Sequence, residues 1–86
     1  MQRAMAPLAL AIYTRPGCHL CDEMKQVVAP LAREFGSALD EIDISQDAGL
    51  EAQFGTEIPV LFVNGRKAFK YRVSTGELRR RLRAAS

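Results

Sequence analysis

The chain has 86 residues, of which 48% are hydrophobic and 26% are charged, and its formal net charge is +2. This length is that of one small domain, so we expect residues 1–86 to form a single unit rather than several. No segment approaches the roughly 20 consecutive apolar residues of a membrane span, so we expect no membrane partner.

Charge is distributed unevenly along the chain. Residues 40–57 carry six acidic side chains and no basic one, whereas the chain from Arg66 onward carries eight basic side chains and only Glu77 as an acid. The last basic residues flank Leu78 and Leu82 at a spacing of four, which indicates an amphipathic helix with a solvated basic face. No aromatic or zinc-binding module accompanies the charge, so we expect no nucleic-acid partner.

The first strand is predicted over Leu8–Tyr13, which is almost continuously apolar and is therefore typical of a strand buried on both faces. Residues 1–7 carry one basic residue and lead directly into this apolar strand, and a signal peptide has a similar pattern of a basic residue before an apolar stretch. Removing such a leader would remove the strand as well. We therefore expect these residues to be part of a cytoplasmic protein.

A long helix is predicted next. Apolar residues recur every three or four positions from Leu20 to Phe35, which is the pattern of one helix face, and Gly36 is a suitable end. The alternating segment Glu41–Ser45 then predicts a half-exposed edge strand. A short helix is expected over Asp47–Phe54, closed by Gly55.

The last third of the chain predicts a hairpin followed by a helix. Val60–Val63 has the composition of a buried strand, and Asn64-Gly65 is a strong two-residue turn signal because both residues tolerate positive φ. Lys67–Tyr71 is predicted to return antiparallel at a sheet edge. The segment Ser74–Glu77 matches a capping box that opens the last helix. The order β-α-β-α-β-β-α predicts an α/β thioredoxin fold with a four-stranded mixed sheet and flanking helices.

The only two cysteines, Cys18 and Cys21, form a Cys-x-x-Cys motif at the junction of the first strand and the first helix. This placement is typical of a thioredoxin-like redox site. Cys18 is expected at the helix N-terminus, where free N–H groups and the helix dipole favour a thiolate and lower the pKa of its thiol. Arg15 and His19 would add positive charge nearby.

Two other interpretations of the cysteines stay open. They could form a static disulfide or a pair of core thiols, which is less expected in a reducing compartment. They could also bind a metal, but the motif offers only Cys18, Cys21 and His19, and a closed zinc site needs four ligands. The alternative function is thus a binding module that holds a metal or iron–sulfur cluster between two chains. Otherwise we expect no bound metal or cofactor.

Residues 13–21 and 57–65 together resemble the glutaredoxin-like branch of the thioredoxin superfamily, and the resemblance extends roughly from Leu8 to Leu82. It implies that Cys18 is the nucleophile and Cys21 the resolving thiol. It also implies that Pro59 is cis and lies against the cysteine pair, although general frequencies of X-Pro bonds alone predict a trans bond. The backbone of Ile58 would then pair with an extended substrate backbone.

The same resemblance concerns glutathione. Arg15 occupies the place of a lysine that helps to hold the glycine carboxylate of glutathione, and His19-Leu20 replaces the usual Pro-Tyr between the cysteines. The Gly-Gly-Asp segment that receives the γ-glutamyl end is missing, although Ser74 and Thr75 at a helix N-terminus could still bind a carboxylate.

We therefore predict a monomeric thiol–disulfide oxidoreductase that reduces protein or glutathione mixed disulfides. Its expected partners are disulfide-containing proteins. Its expected reductant is glutathione, as a possible co-substrate, or a thioredoxin reductase-type system.

Overall fold

The computed structural model describes residues 8–86, so the expectation for residues 1–7 lies outside the described residues. The described part is built from four strands and three helices. The strands are β1 (Ala9–Thr14), β2 (Ala38–Asp43), β3 (Val60–Val63) and β4 (Arg66–Lys70). The helices are α1 (His19–Glu34), α2 (Ala48–Phe54) and α3 (Thr75–Ala85).

The strands form one mixed sheet in the order β2-β1-β3-β4. β2 runs parallel to β1 and is reached through α1, whereas β3 runs antiparallel to β1 and pairs with β4 as a hairpin. The predicted element order and the α/β thioredoxin fold are therefore confirmed. None of the helices within residues 8–86 is long and apolar enough to cross a membrane.

The main core lies on the sheet face that α1 and α3 cover. It consists chiefly of buried side chains from β1, α1, β3 and α3: Leu10, Ile12, Met24, Val28, Leu31, Leu61, Val63, Leu78 and Leu82. A smaller cluster of Ile44, Phe54 and Val60 lies apart from it, with Tyr13 and Phe62 packed against it. The ring centroids of Tyr13 and Phe54 are 4.8 Å apart, so aromatic packing attaches α2 to the sheet.

The predicted burial of β1 and the predicted bounds of β2 were wrong. β1 is not buried on both faces: its residues alternate, with Leu10, Ile12 and Thr14 buried but Ala9 exposed. The smaller cluster covers the second face only in part, which explains the alternation. β2 begins at Ala38, earlier than predicted, because parallel pairing with β1 recruits residues 38–40.

The end of β2 also differs from the prediction. Ser45 was placed in the strand, but residues Ile44–Gln46 form a 3₁₀ turn. The carboxylate of Asp43 accepts hydrogen bonds from the Ser45 amide at 2.9 Å and the Ser45 hydroxyl at 2.6 Å. These hydrogen bonds cap the turn and lower the pKa of Asp43. The predicted edge position of the strand is confirmed.

The predicted turns and caps formed where local residues determine them. Asn64 and Gly65 have φ values of 53° and 80°, as a two-residue hairpin turn requires. Ser74 and Glu77 form the predicted capping box at the start of α3. In α1, Met24 and Leu31 of the predicted face are buried, and Val27 and Phe35 pack against the core while partly buried. Cys21, Val28 and Ala32 are also buried, which the predicted face did not include.

Candidate functional site

Three chain segments meet at the edge of the sheet where β1 ends. The loop after Thr14 leads to Cys18, and the register that pairs Tyr13 with Val60 brings Pro59 to the same edge. The pairing of Val60 with Lys70 places Tyr71 there as well. The Tyr71 amide donates a hydrogen bond of 2.8 Å to the Pro59 carbonyl, which connects the segment after β4 to the segment before β3. We call this edge the cysteine edge.

Cys18 and Cys21 form a disulfide, with their Cα atoms 5.2 Å apart. Their environments are unequal. Cys18 is the N-cap of α1 and is partly exposed, and its Sγ accepts a hydrogen bond of 3.1 Å from the Cys21 amide. Cys21 is only 1% exposed. An incoming thiol or disulfide therefore reaches Cys18 first, while Cys21 stays in the first turn of the helix behind it.

The Ile58-Pro59 bond is cis, so the cis bond that the resemblance implied is confirmed and the expectation from general frequencies was wrong. Pro59 is buried and Ile58 is partly buried. Within residues 8–86, neither the amide nor the carbonyl of Ile58 has a hydrogen-bond partner. β3 is paired on both sides, but Ile58, which precedes it, offers backbone groups to which an extended segment could form hydrogen bonds.

Arg15 was expected to place positive charge near the cysteines. Its guanidinium forms an ion pair and hydrogen bond with Glu51 in α2 and approaches the Gly55 carbonyl at 3.4 Å. A Cβ atom on Gly55 would lie 3.4 Å from the same guanidinium nitrogen and 2.5 Å from the Glu51 carbonyl oxygen. The absence of a side chain at Gly55 therefore avoids a clash with the backbone of α2, whereas the contact with Arg15 would be of ordinary length.

His19 and Leu20 occupy the first turn of α1 between the cysteines. The His19 side chain is 85% exposed, and its Nε2 lies 2.8 Å from a carboxylate oxygen of Glu23. The other Glu23 oxygen lies 3.6 Å from the guanidinium of Arg72, which follows β4. Leu20 is partly buried. Glu23 thus links the helix that carries the cysteines to the segment that follows the hairpin.

Ser74 and Thr75 begin α3 beside this link. The Ser74 amide donates to a carboxylate oxygen of Glu77 at 3.0 Å, and the Glu77 amide donates to the Ser74 hydroxyl at 3.1 Å. The hydrogen bond from the Ser74 amide lowers the pKa of Glu77. Thr75 is exposed. These hydrogen bonds engage the amide and hydroxyl of Ser74, whereas within residues 8–86 the amide and hydroxyl of Thr75 have no hydrogen-bond partner.

Sequence reasoning missed a groove that adjoins the cysteine edge. The groove has a volume of about 330 Å³ and runs between α1 and residues 71–77. Its apolar lining comes from Met24, Val27 and Val73, and its two carboxylates from Glu23 and Glu77. Tyr71, Arg72 and Ser74 complete the lining. Tyr71 has a φ of 70°, a left-handed conformation that the sequence did not signal because a tyrosine rarely adopts it.

A charged cluster on the other side of the cysteine loop was also missed. The Lys25 ammonium lies 2.8 Å from a carboxylate oxygen of Glu41, and this oxygen accepts a hydrogen bond of 3.3 Å from the buried hydroxyl of Thr14. The hydrogen bond to Glu41 raises the pKa of Lys25. Within residues 8–86, no group of three or more histidine, cysteine or acidic side chains is arranged to hold a metal ion.

Comparison with known proteins adds an independent observation. The model of a family described as a glutaredoxin-like domain matches residues 9–83. A protein of Mycobacterium tuberculosis is 33% identical over 73 residues, which cover 79% of this chain and 75% of the relative.

Solved structures share the fold. The X-ray structure of a protein from X. campestris is 37% identical, with a TM-score of 0.70, and the match covers 90% of this chain and 99% of that one. Thioredoxin from Fasciola hepatica, at 20% identity and a TM-score of 0.63, matches over 93% of this chain and 82% of its own. At this identity the thioredoxin shows a common fold only.

Proposed function

This chain belongs to the glutaredoxin-like domain family, and on that premise we propose that it is a thiol–disulfide oxidoreductase that reduces protein or glutathione mixed disulfides. The observation that carries the proposal is the inequality of its two cysteines. Cys18 is accessible at a helix N-terminus, whereas Cys21 is buried one turn further along. This arrangement supplies one attacking and one resolving thiol.

The local groups favour the anionic form of Cys18 in the reduced protein. Its Sγ faces the Cys21 amide at 3.1 Å, and the N-terminus of a 16-residue helix lies directly behind it. A thiolate is the reactive form of cysteine, and helix N-termini stabilise it. Arg15, already paired with Glu51, would contribute only a neutralised charge to this site.

The proposed reaction begins when the Cys18 thiolate attacks one sulfur of the substrate disulfide. A bond forms between Cys18 and that sulfur, and the other substrate sulfur leaves as a thiolate. Cys21 then attacks Cys18 Sγ and releases the second substrate sulfur, while the proton of Cys21 goes to a departing thiolate. The substrate gains two electrons, and the protein is left with the Cys18–Cys21 disulfide that the structure contains.

Ile58 and Pro59 support the choice of polypeptide substrates. Among residues 8–86 the backbone of Ile58 has no hydrogen-bond partner, and at the cysteine edge an extended chain could pair with it. Backbone hydrogen bonds bind many sequences with similar strength, so disulfide-containing proteins in general fit this site. We place the activity in the cytoplasm, where a reducing pool can return the cysteine pair to its dithiol form, and we expect a monomer to suffice.

The test compares two variants that each remove one thiol. Cys18→Ser should abolish reduction of a protein disulfide such as that of insulin. Cys21→Ser should instead accumulate a mixed disulfide with the substrate on Cys18, because the resolving attack is lost. Mass spectrometry after acid quenching detects the adduct, and circular dichroism confirms that both variants remain folded.

Two outcomes would contradict the proposal. Cys18→Ser protein that still turns over would remove Cys18 from the reaction. Protein purified without oxygen that carries stoichiometric iron or zinc, seen by absorption spectra and metal analysis, would favour a cysteine-bound metal or cluster between two chains instead.

A further inference from the structure

Tyr71, which directly follows β4, has a backbone conformation that few tyrosines adopt. Its φ is 70°, and the Arg72 amide donates a hydrogen bond of 2.8 Å to the Lys70 carbonyl across it. A three-residue turn with a positive φ at its centre is the rare and strained form of the γ-turn. A residue other than glycine keeps such a conformation only where surrounding contacts hold it there.

Core packing does not supply those contacts. Tyr71 is 41% exposed, and it is the only large hydrophobic residue that is exposed within residues 8–86. The ammonium of Lys70 lies 5.4 Å from the centroid of its ring, so a cation–π contact covers part of the ring. An exposed ring on a strained backbone indicates a role outside the core.

The hydrogen bonds of Tyr71 lead to the segment 56–59. Its amide donates to the Pro59 carbonyl at 2.8 Å, and its hydroxyl donates to the Thr56 carbonyl at 3.0 Å. One residue therefore binds both ends of this four-residue segment. Between the two ends lies Ile58, whose amide and carbonyl have no hydrogen-bond partner within residues 8–86.

Two further contacts restrain the segment at Glu57. The Glu57 amide donates a hydrogen bond of 2.8 Å to the Phe54 carbonyl, which attaches the segment to the end of α2. The Glu57 carboxylate lies 2.9 Å from the Lys67 ammonium of β4, but an ion pair between partly exposed side chains contributes little. Tyr71 therefore supplies the principal hydrogen bonds between this segment and the end of the hairpin.

Resting on the proposed function, we propose that Tyr71 is a positioning residue for polypeptide substrates, because it fixes the segment 56–59 and thereby holds the backbone groups of Ile58 in one geometry at the cysteine edge. A substrate chain that binds groups already in place loses less conformational entropy than one that has to order them. Tyr71 thus acts through Ile58 and not on the reacting sulfurs.

The test removes the Tyr71 hydroxyl and nothing else, in Tyr71→Phe. Tyr13→Phe is the matched control, since it makes the same chemical change on a ring that packs against Phe54 with centroids 4.8 Å apart and leaves the Thr56 contact in place. Each protein is assayed with dithiothreitol as the reductant on two substrates. One is an extended peptide disulfide, and the other is hydroxyethyl disulfide, which has no peptide backbone to pair with Ile58.

The size of the effect follows from one neutral hydrogen bond. Its loss, at about 1 kcal/mol, lets the segment leave the competent geometry and lowers the competent fraction by up to about fivefold. We therefore expect Tyr71→Phe to raise KM for the peptide disulfide by about two- to fivefold with kcat nearly unchanged. Its rate with hydroxyethyl disulfide should equal that of the wild type, and Tyr13→Phe should match the wild type on both substrates.

Backbone ¹⁵N relaxation gives a second readout that does not depend on turnover. The amides of residues 56–58 should be more mobile in Tyr71→Phe than in the wild type, and unchanged in Tyr13→Phe. An unchanged KM for the peptide, or an equal loss of rate on both disulfides, would overturn the inference. Wild-type protein that reduces neither disulfide would contradict the proposed oxidoreductase function instead. Relaxation would then still decide the role of Tyr71, because unchanged mobility of residues 56–58 in Tyr71→Phe would overturn it.

Discussion

Removal of the Ser74 hydroxyl is expected to destabilise the protein measurably, because this hydroxyl is the N-cap of α3. It accepts the Glu77 amide at 3.1 Å, and the helix that it begins supplies Leu78 and Leu82, both 0% exposed, to the main core. Loss of a serine N-cap to alanine typically costs about 1 kcal/mol. For a domain of this size that corresponds to a decrease in melting temperature of about 4–8 °C.

Substitution of Glu77 separates hydrogen bonding from charge. Glu77→Gln keeps an acceptor for the Ser74 amide, so its stability at pH 7 should be close to that of the wild type. The Ser74 hydrogen bonds lower the pKa of Glu77 from its ordinary value of 4.5. A lowered carboxylate pKa stabilises the folded protein above that ordinary value, and this contribution is lost as the pH falls through the folded-state pKa. Glu77→Gln should therefore lose less stability between neutral pH and about pH 3 than the wild type does.

Thermal unfolding followed by circular dichroism, at a series of pH values from neutral to acidic, measures both effects. Ser74→Ala should be less stable than the wild type at every pH. Part of the acid sensitivity should persist in Glu77→Gln, because Arg79 lowers the pKa of Glu34 and Lys67 lowers the pKa of Glu57. The capping argument is refuted if Ser74→Ala has the same melting temperature as the wild type. It is also refuted if Glu77→Gln is as unstable as Ser74→Ala at pH 7.

Three further predictions concern packing, backbone and accessibility. Leu82→Ala should lower the free energy of unfolding by about 2–5 kcal/mol in urea titrations, and a loss below 1 kcal/mol would contradict its core position. Gly65→Ala should destabilise the hairpin by about 1–2 kcal/mol because φ is 80° there, whereas Gly76→Ala, with an open Cβ position in α3, should stabilise by about 0.4–1 kcal/mol. In the reduced protein, peptide mapping should show iodoacetamide on Cys18 before Cys21, and the reverse order would contradict the assigned roles.

The elements that sequence analysis predicted well are those that neighbouring residues determine. The Asn64-Gly65 turn and the Ser74–Glu77 capping box depend on residues that are adjacent or three apart, so their chemistry is visible without the fold. The position of Cys18 at the N-cap of α1 follows from the same local logic. The cis Ile58-Pro59 bond was predicted only by the family resemblance, because no local rule indicates it.

The errors arose where distant segments decide the outcome. The extent of β2 depends on its register with β1, in which Ala38 pairs with Ala9, and no pattern within the strand specifies that partner. The burial of β1 depends on how far α2 and the turn before it cover the second face of the sheet. An apolar strand sequence is compatible with full or partial cover, so its composition could not distinguish them.

Arg15 shows why residue type and position did not suffice to describe the candidate site. Its place three residues before Cys18 indicated a cation that could bind a ligand carboxylate, but its partner Glu51 lies 36 residues further along the chain. The pairing depends on the fold, which places Glu51 and the Gly55 carbonyl at the end of α2 beside the guanidinium. A paired arginine stabilises the chain's own carboxylate before it can stabilise that of a ligand. The charge that Arg15 presents at the cysteine edge therefore depends on a contact that only the fold creates.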